Sequence, residues 1–164
     1  EDYQNLKDDN IEYVINLQGD EPMLNIEDVN NLLKKTIEKK SKISTLACKI
    51  EDEKFFLNKN IVKVTTKEEL NQNNLSTASS FTREIKISQK NIYHHIGIYC
   101  YSSEILKNFV ELPQSKNEIE NKLEQLRALD NNIEINVAPA NKAPIGVDTE
   151  EDYLALKKIM EYKS

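Results

Sequence analysis

The chain has 164 residues, enough for one domain with a packed core, and its 38% apolar and 30% charged content describes a polar globular protein. A net charge of −6 argues against a nucleic-acid polymer or an anionic membrane as the main partner. No apolar run approaches the roughly 20 residues of a membrane span, no leader pattern opens the chain, and Cys48 and Cys100 match no metal or redox spacing, so buried, reduced thiols in a soluble, cytoplasmic protein are expected.

Residues 1–10 form a polar lead-in with no strand before it. The run 11–17 follows, with Tyr13, Val14, Ile15 and Leu17 apolar and little alternation. That pattern predicts a strand buried on both faces, as in a parallel sheet covered by helices. It stops on Gly19, with Asp20, Glu21 and Pro22 directly after. Ligand crevices of open α/β sheets lie beyond the carboxyl ends of the strands, so this turn is either a site or ordinary Gly-Asp turn chemistry. Next comes a helix starting near Ile26, capped by Asn25 with Asp28 in its first turn and lysines 34, 35, 39 and 40 towards its end.

Strands are predicted over 44–50 and 61–65, with a short turn between them and a polar loop over 71–76 after them. Residues 79–83 read as a short strand ending on Arg83. Residues 93–101 form a strand whose central Gly97 marks a bulge or a close approach. A short helix runs from Ser102 or Ser103 to Phe109. A longer one over 117–129 has Ile119, Leu123 and Leu126 on one face. A strand over 133–137, a loop bracketed by Pro139 and Pro144, and a helix over 150–162 complete an alternating α/β chain. The chain contains three glycines, Gly19, Gly97 and Gly146, so it has no Gly-rich phosphate loop of either the Walker or the dinucleotide type.

Asp20 and Asp148 are the sharpest candidate pair. Two carboxylates from distant stretches can hold Mg²⁺ against phosphate oxygens, although Asp148 also fits a helix cap. Arg83 suits a two-point contact with a carboxylate, or lies on the surface. Adjacent His94 and His95 point to opposite faces of a strand, so only one is expected to face a given site. His95 shares its side with Gly97 and Tyr99, a polar aromatic wall with room for a sugar. Glu124, Gln125 and Arg127 flank the apolar face of the 117–129 helix, where charged residues are ordinarily solvated.

In order along the chain stand Asn16-Leu17-Gln18-Gly19-Asp20-Glu21-Pro22, Phe81-Thr82-Arg83, His95-Ile96-Gly97-Ile98-Tyr99-Cys100-Tyr101, Leu123-Glu124-Gln125-Leu126-Arg127-Ala128-Leu129 and Gly146-Val147-Asp148-Thr149-Glu150-Glu151-Asp152. This series resembles the 3-deoxy-manno-octulosonate (Kdo) cytidylyltransferase family, the CMP-Kdo synthetases, from about Glu12 to the C-terminal helix. The resemblance implies a nucleotide-diphospho-sugar transferase-like (Rossmann-like) three-layer α/β sandwich. It also implies a reaction: the anomeric hydroxyl of Kdo attacks the α-phosphate of CTP to give CMP-Kdo and pyrophosphate, for lipopolysaccharide synthesis. By the same resemblance Asp20 and Asp148 are the catalytic carboxylates and Mg²⁺ ligands. Gln18, Arg83, His95, Tyr99, Glu124 and Gln125 are sugar-acid contacts, and the protein is a homodimer.

Family members open with a strand and a small, basic nucleotide loop. Residues 1–164 are therefore expected to be a partial domain lacking about its first third. Asn121 stands for a usual glutamate, Lys122 for an apolar residue, Thr82 for serine and His94 for arginine. Alternatives are the same chemistry on another sugar acid, of 8-amino-Kdo or sialic-acid type, and a non-catalytic truncated interaction module.

Overall fold

A computed structural model of the protein describes residues 11–18, 24–85 and 90–143, and residues 150, 154, 157 and 158. Glu150, Leu154, Lys157 and Lys158 are helical, within the helix expected over 150–162. Gly19, Asp20, Glu21, Pro22, Gly146 and Asp148 lie outside the described residues.

Strand β1 (Tyr13–Asn16) leads to helix α1 (Ile26–Lys39), strand β2 (Ile43–Cys48), helix α2 (Glu53–Leu57), and strands β3 (Lys63–Thr66), β4 (Ser76–Thr82) and β5 (Ile92–Ser102). Helices α3 (Ser103–Glu111), α4 (Lys116–Asn121) and α5 (Leu126–Asp130) and strand β6 (Ile135–Pro139) follow. Asn25 caps α1 as expected: its side chain accepts from Glu27 N at 2.9 Å, and Lys40 closes the helix in the left-handed region with φ 52°. Val29, Leu32 and Thr36 are the buried stripe of this helix.

The strands form one sheet in the order β1-β5-β2-β6-β4-β3, with β3 also pairing β5. The long strand β5 is its spine. β2 runs along one edge of β5, and β1 and β3 share the other edge, β1 at residues 99–102 and β3 at 92–94. The pairings therefore close a circuit β5–β2–β6–β4–β3–β5. Among the described residues only β2 and β6 pair in parallel.

Alternation along the central strands supplies two cores. Leu46 and Cys48 of β2 with Ile96, Ile98 and Cys100 of β5 pack against Val29 and Leu32 of α1. Ile43 and Ala47 of β2 with Tyr93, Tyr99 and Tyr101 of β5 pack against Ile105 and Phe109 of α3 and Leu126 and Ala128 of α5. Helices thus cover both faces, which makes the three-layer sandwich that the resemblance implies.

Four expectations need correction. The doubly buried parallel strand is β2 with β6, every residue of which is buried, and not β1. β1 runs antiparallel to β5, is half-buried, and leaves Leu17 exposed, because it has one strand neighbour among the described residues rather than two. The helix predicted over 117–129 is two helices. A capping box of Ser115 and Glu118 starts α4. Lys122 then stops it in the left-handed region with φ 53°, and Leu123 N donates back to Glu118 O at 3.2 Å. The break turns Leu123 and Leu126 inward and leaves Ile119, expected on the same face, exposed. Lastly, the strand predicted over 133–137 is shifted two residues onwards, and Pro139 is its last residue rather than the start of a loop. β4 likewise begins inside the loop expected over 71–76.

Candidate active site at the strand ends

A cavity of about 1840 Å³ opens at the carboxyl ends of the two parallel strands, where such sheets bind ligands. Its wall runs from Ala47–Glu51 after β2 to Pro139–Ala143 after β6, and takes in the loop 58–62 before β3 and the break between α4 and α5. All six described candidates, Gln18, Arg83, His95, Tyr99, Glu124 and Gln125, line it. They come from four separate stretches of chain, and the fold alone brings them together.

His95 is held most firmly. The register of β2 and β5 slips between Thr45 and Leu46, which pair with Tyr99 and Ile96, so Gly97 and Ile98 form a bulge, as the glycine suggested. Gly97 also lines the cavity. The Thr45 hydroxyl sits under the bulge, 2.8 Å from Ile98 O, 3.1 Å from Ile96 O and 2.9 Å from His95 Nε2. The His95 ring meets Phe81 edge-on at 5.1 Å and lies 5.5 Å from Tyr99, which stacks on Tyr101 at 5.7 Å. Burial, and then the neighbouring His94, push the His95 pKa down to about 3, so its ring is neutral.

The expectation that only one histidine faces the site does not hold. His94 and His95 both line the cavity. Burial, and then Lys63, lower the His94 pKa.

Arg83 stands on the cavity wall, and its guanidinium donates to Asn60 O at 2.8 Å and Lys59 O at 3.2 Å. Its neighbour Lys63, a residue the sequence reading passed over, has no exposed surface. The ammonium of Lys63 donates to Arg83 O at 2.9 Å and to Asn58 O. One buried cation thus ties the main chain of Arg83 to the loop that its guanidinium also holds. Burial, and then the charge of Arg83, lower the Lys63 pKa. The available signal was a lysine between two valines inside a β-branched run, where a solvent-facing position is the commoner reading.

Glu124 and Gln125 reach the cavity because the helix breaks at Lys122. Arg127, expected to be solvated, instead has its side chain only 11% exposed. It grips Glu118 with two bonds, Nε to Oε2 at 2.8 Å and Nη2 to Oε1 at 2.6 Å, while its guanidinium lies 5.0 Å over the Phe109 ring. Arg127, with Gln114 and Ser115 N, holds the Glu118 pKa down at about 2. Behind the cavity-lining Asn141, Asp28 of α1 accepts Asn141 N at 3.1 Å and Asn141 Nδ2 at 2.8 Å, which anchors the loop after β6. Burial raises the Asp28 pKa.

Among the described residues, five cations (Lys49, Lys59, Arg83, Lys122 and Lys142) and three carboxylates (Glu51, Glu69 and Glu124) line the cavity of a chain whose net charge is −6. These described residues give its wall a cationic excess that suits anionic ligands. Among the described residues no group of three His, Cys, Asp or Glu side chains can hold a metal ion. The proposed ligands Asp20 and Asp148 lie outside those residues. Cys48 and Cys100 are free and buried, and burial lifts the Cys48 thiol to about 11. Among the described residues no helix is long and apolar enough to cross a membrane.

Sheet order, layers and strand-end cavity define a nucleotidyltransferase-type fold. A solved apo UDP-glucose pyrophosphorylase superposes with a TM-score of 0.65 at 12% identity, over 94% of this chain and 56% of that one. The sequence model of the Cytidylyltransferase family matches residues 2–135, and the chain belongs to that family. The 3-deoxy-manno-octulosonate cytidylyltransferase of Thermodesulfovibrio yellowstonii is 43% identical over 95% of this chain and 62% of its own length. The structure of CMP:2-keto-3-deoxy-manno-octonic acid synthetase complexed with CTP gives a TM-score of 0.81 at 29% identity, over 98% of this chain and 66% of that one. The chain thus spans about three-fifths of the length of the curated relatives it matches.

Proposed function

We propose that the protein acts as a cytidylyltransferase that joins CTP to Kdo. The observation that carries this reading is the meeting of all six described candidates in one cavity. The anomeric hydroxyl of Kdo gives up its proton to solvent as its oxygen forms a bond to the α-phosphorus of CTP, the bond from that phosphorus to the bridging oxygen breaks, and pyrophosphate leaves with the electron pair. Arg83 faces the Kdo carboxylate, while Gln18, His95, Tyr99, Glu124 and Gln125 hold the sugar hydroxyls. Orientation of the two substrates supplies much of the rate in such transfers.

Asp20 and Asp148 would hold Mg²⁺, which when bound neutralises charge on the phosphates. In support, Gln18, two residues before Asp20, and Ala143, five before Asp148, both line the cavity. The product feeds lipopolysaccharide synthesis. The free, buried thiols support a cytoplasmic setting. The exposed Val110 and Ile119 support a homodimer, which sedimentation velocity would test.

The test is pyrophosphate release with CTP, Mg²⁺ and Kdo, on these residues and on the protein extended to the length of its relatives. CTP- and Kdo-dependent release from the extended protein is the expected result. Release with 8-amino-Kdo or a sialic acid alone would move the reading to that substrate. Silence of the folded, extended protein with every sugar acid would overturn it.

A further inference from the structure

Thr45 is fully buried in the centre of β2, and its hydroxyl has three polar neighbours and one proton. Two of the neighbours are the carbonyls of Ile96 and Ile98, which can only accept. Both belong to the stretch where the bulge interrupts the β2–β5 ladder. If the Thr45 proton were directed at His95 Nε2, a carbonyl oxygen 2.8 Å away would face the hydroxyl lone pairs with no proton between them. A buried acceptor left in that state costs about 1–3 kcal/mol. A hydrogen lies in each direction, towards the carbonyls and between ring and hydroxyl, only when Thr45 donates to the bulge and His95 Nε2–H donates to Thr45. A neutral imidazole carries one donor and one acceptor. With Nε2 as the donor, Nδ1 is the lone-pair nitrogen of a ring that lines the cavity.

We infer that Thr45 is a positioning residue: its hydroxyl, committed to the bulge carbonyls, fixes His95 in the Nε2–H tautomer and makes Nδ1 the acceptor for a substrate hydroxyl. The substrate half of this inference rests on the proposed sugar-acid site; the tautomer half does not. A ring of the opposite tautomer would offer Nδ1–H, a donor, and select a ligand acceptor instead. Thr45 touches no substrate. It acts on specificity by setting which hydrogen-bonding sense His95 presents.

Residues 1–164 hold two histidines, so His94→Gln leaves His95 the one imidazole among them, and the signals lost on His95→Gln identify it in the longer protein. In the full-length, ¹⁵N-labelled protein carrying that change, two-bond ¹H–¹⁵N spectra separate the protonated from the lone-pair ring nitrogen. A protonated Nε2 and a lone-pair Nδ1 are expected. Thr45→Ser should keep this pattern, and the near-isosteric Thr45→Val should average or reverse it. A protonated Nδ1 in the Thr45 protein overturns the inference, even if Thr45→Val does not fold. So does an unchanged tautomer in folded Thr45→Val.

In turnover assays with His94 restored, Thr45→Val should raise the KM for Kdo about tenfold or more, leave the KM for CTP unchanged, and be rescued by Thr45→Ser. A switched tautomer with an unchanged Kdo KM overturns the substrate half. The predicted tautomer in a protein that turns over no sugar acid would instead remove the proposed function and leave the Thr45–His95 coupling standing.

Discussion

Two ion pairs of equal length stand in two different regions of this molecule. Under the break between α4 and α5, Arg127 meets Glu118 at 2.6 Å with side chains 11% and 5% exposed. At the rim of the cavity, Lys59 meets Glu84 at 2.6 Å with side chains 75% and 71% exposed. Distance does not distinguish them; water does. The first pair is bidentate, shielded and supported by Gln114, Ser115 N and the Phe109 ring, so neither partner can be removed without stranding the other. The second is screened by solvent and salt, and either partner alone is well hydrated. The buried pair fixes architecture, while the exposed pair adjusts the field at the mouth of the site.

The largest effect is expected from breaking the buried pair. Arg127→Met strands the Glu118 carboxylate, and loss of one member of such a pair costs about 3–5 kcal/mol. The double variant Glu118→Gln/Arg127→Met should recover part of that loss, because no charge is left uncompensated. Urea denaturation of the four proteins measures the coupling. A single variant within error of the parent would show that the pair holds nothing. Because the pair also fixes the break that carries Glu124 and Gln125, a weaker hold on substrate should accompany the loss of stability.

Lys63 ranks next. It is a buried cation whose hydrogen-bond partners among the described residues are carbonyls, and hydrogen bonds from charged groups contribute about 1.5–3 kcal/mol each. Lys63→Met keeps the stem and removes the ammonium, so both the loop 58–62 and the main chain of Arg83 lose a tie. The expected result is a lower denaturation midpoint together with a raised KM for the anionic sugar acid. A stability loss with an unchanged KM would confine Lys63 to the fold.

These two buried groups also mark how far the sequence could be read. The α1 N-cap was legible because Asn25 acts locally, within a turn of the helix. The bulge was legible from Gly97 inside a β-branched run. The break at Lys122 was not, because the periodicity of Leu123 and Leu126 continues through it, and the stop lies in the αL conformation of a lysine, which carries no sequence signal of the kind a glycine gives. Arg127 and Glu118 are nine residues apart, on no helical spacing, so their pairing exists only once the break has formed. Asp28 with Asn141, and Thr45 with His95, are likewise products of tertiary structure. The candidate sugar contacts were legible only as a series of motifs. Their convergence on one cavity belongs to the sheet order, which local patterns do not encode.

His95 gives a smaller, pH-dependent effect. Its folded pKa of about 3 lies below the ordinary 6.5, so the unfolded chain takes up the proton first. This contribution is fully present above about pH 6.5 and is lost as pH falls towards 3, with a slope of at most ~1.4 kcal/mol per pH unit. Glu118, lowered from 4.5 to about 2, also favours the fold above its unfolded value but loses its contribution only as pH falls below about 4.5. Between pH 6.5 and 4.5 the histidines therefore dominate, with His94 also lowered. His95→Gln should flatten the stability–pH curve in that window and leave the steeper fall below pH 4.5 in place. An unchanged slope would mean that the ring is exposed enough to titrate normally.

The exposed pair should give the smallest effect, and a different kind of effect. The Glu84 carboxylate lies near its Lys59 partner and has a lowered pKa because of it, yet both groups stand in water, where ordering two mobile side chains offsets most of the attraction. Glu84→Gln is expected to leave the denaturation midpoint unmoved at any salt concentration. What it changes is charge: Lys59 lines the cavity, and without Glu84 its ammonium is no longer neutralised beside Arg83. Anionic substrates should then bind slightly more tightly at low ionic strength. The gain should vanish as the Debye length shrinks from about 10 Å at 0.1 M salt to about 3 Å at 1 M. Isothermal titration of CTP and of Kdo into both proteins across that range reads the effect. A stability loss in Glu84→Gln would show that the rim is as structural as the Glu118–Arg127 strut, and would erase the distinction between the two pairs.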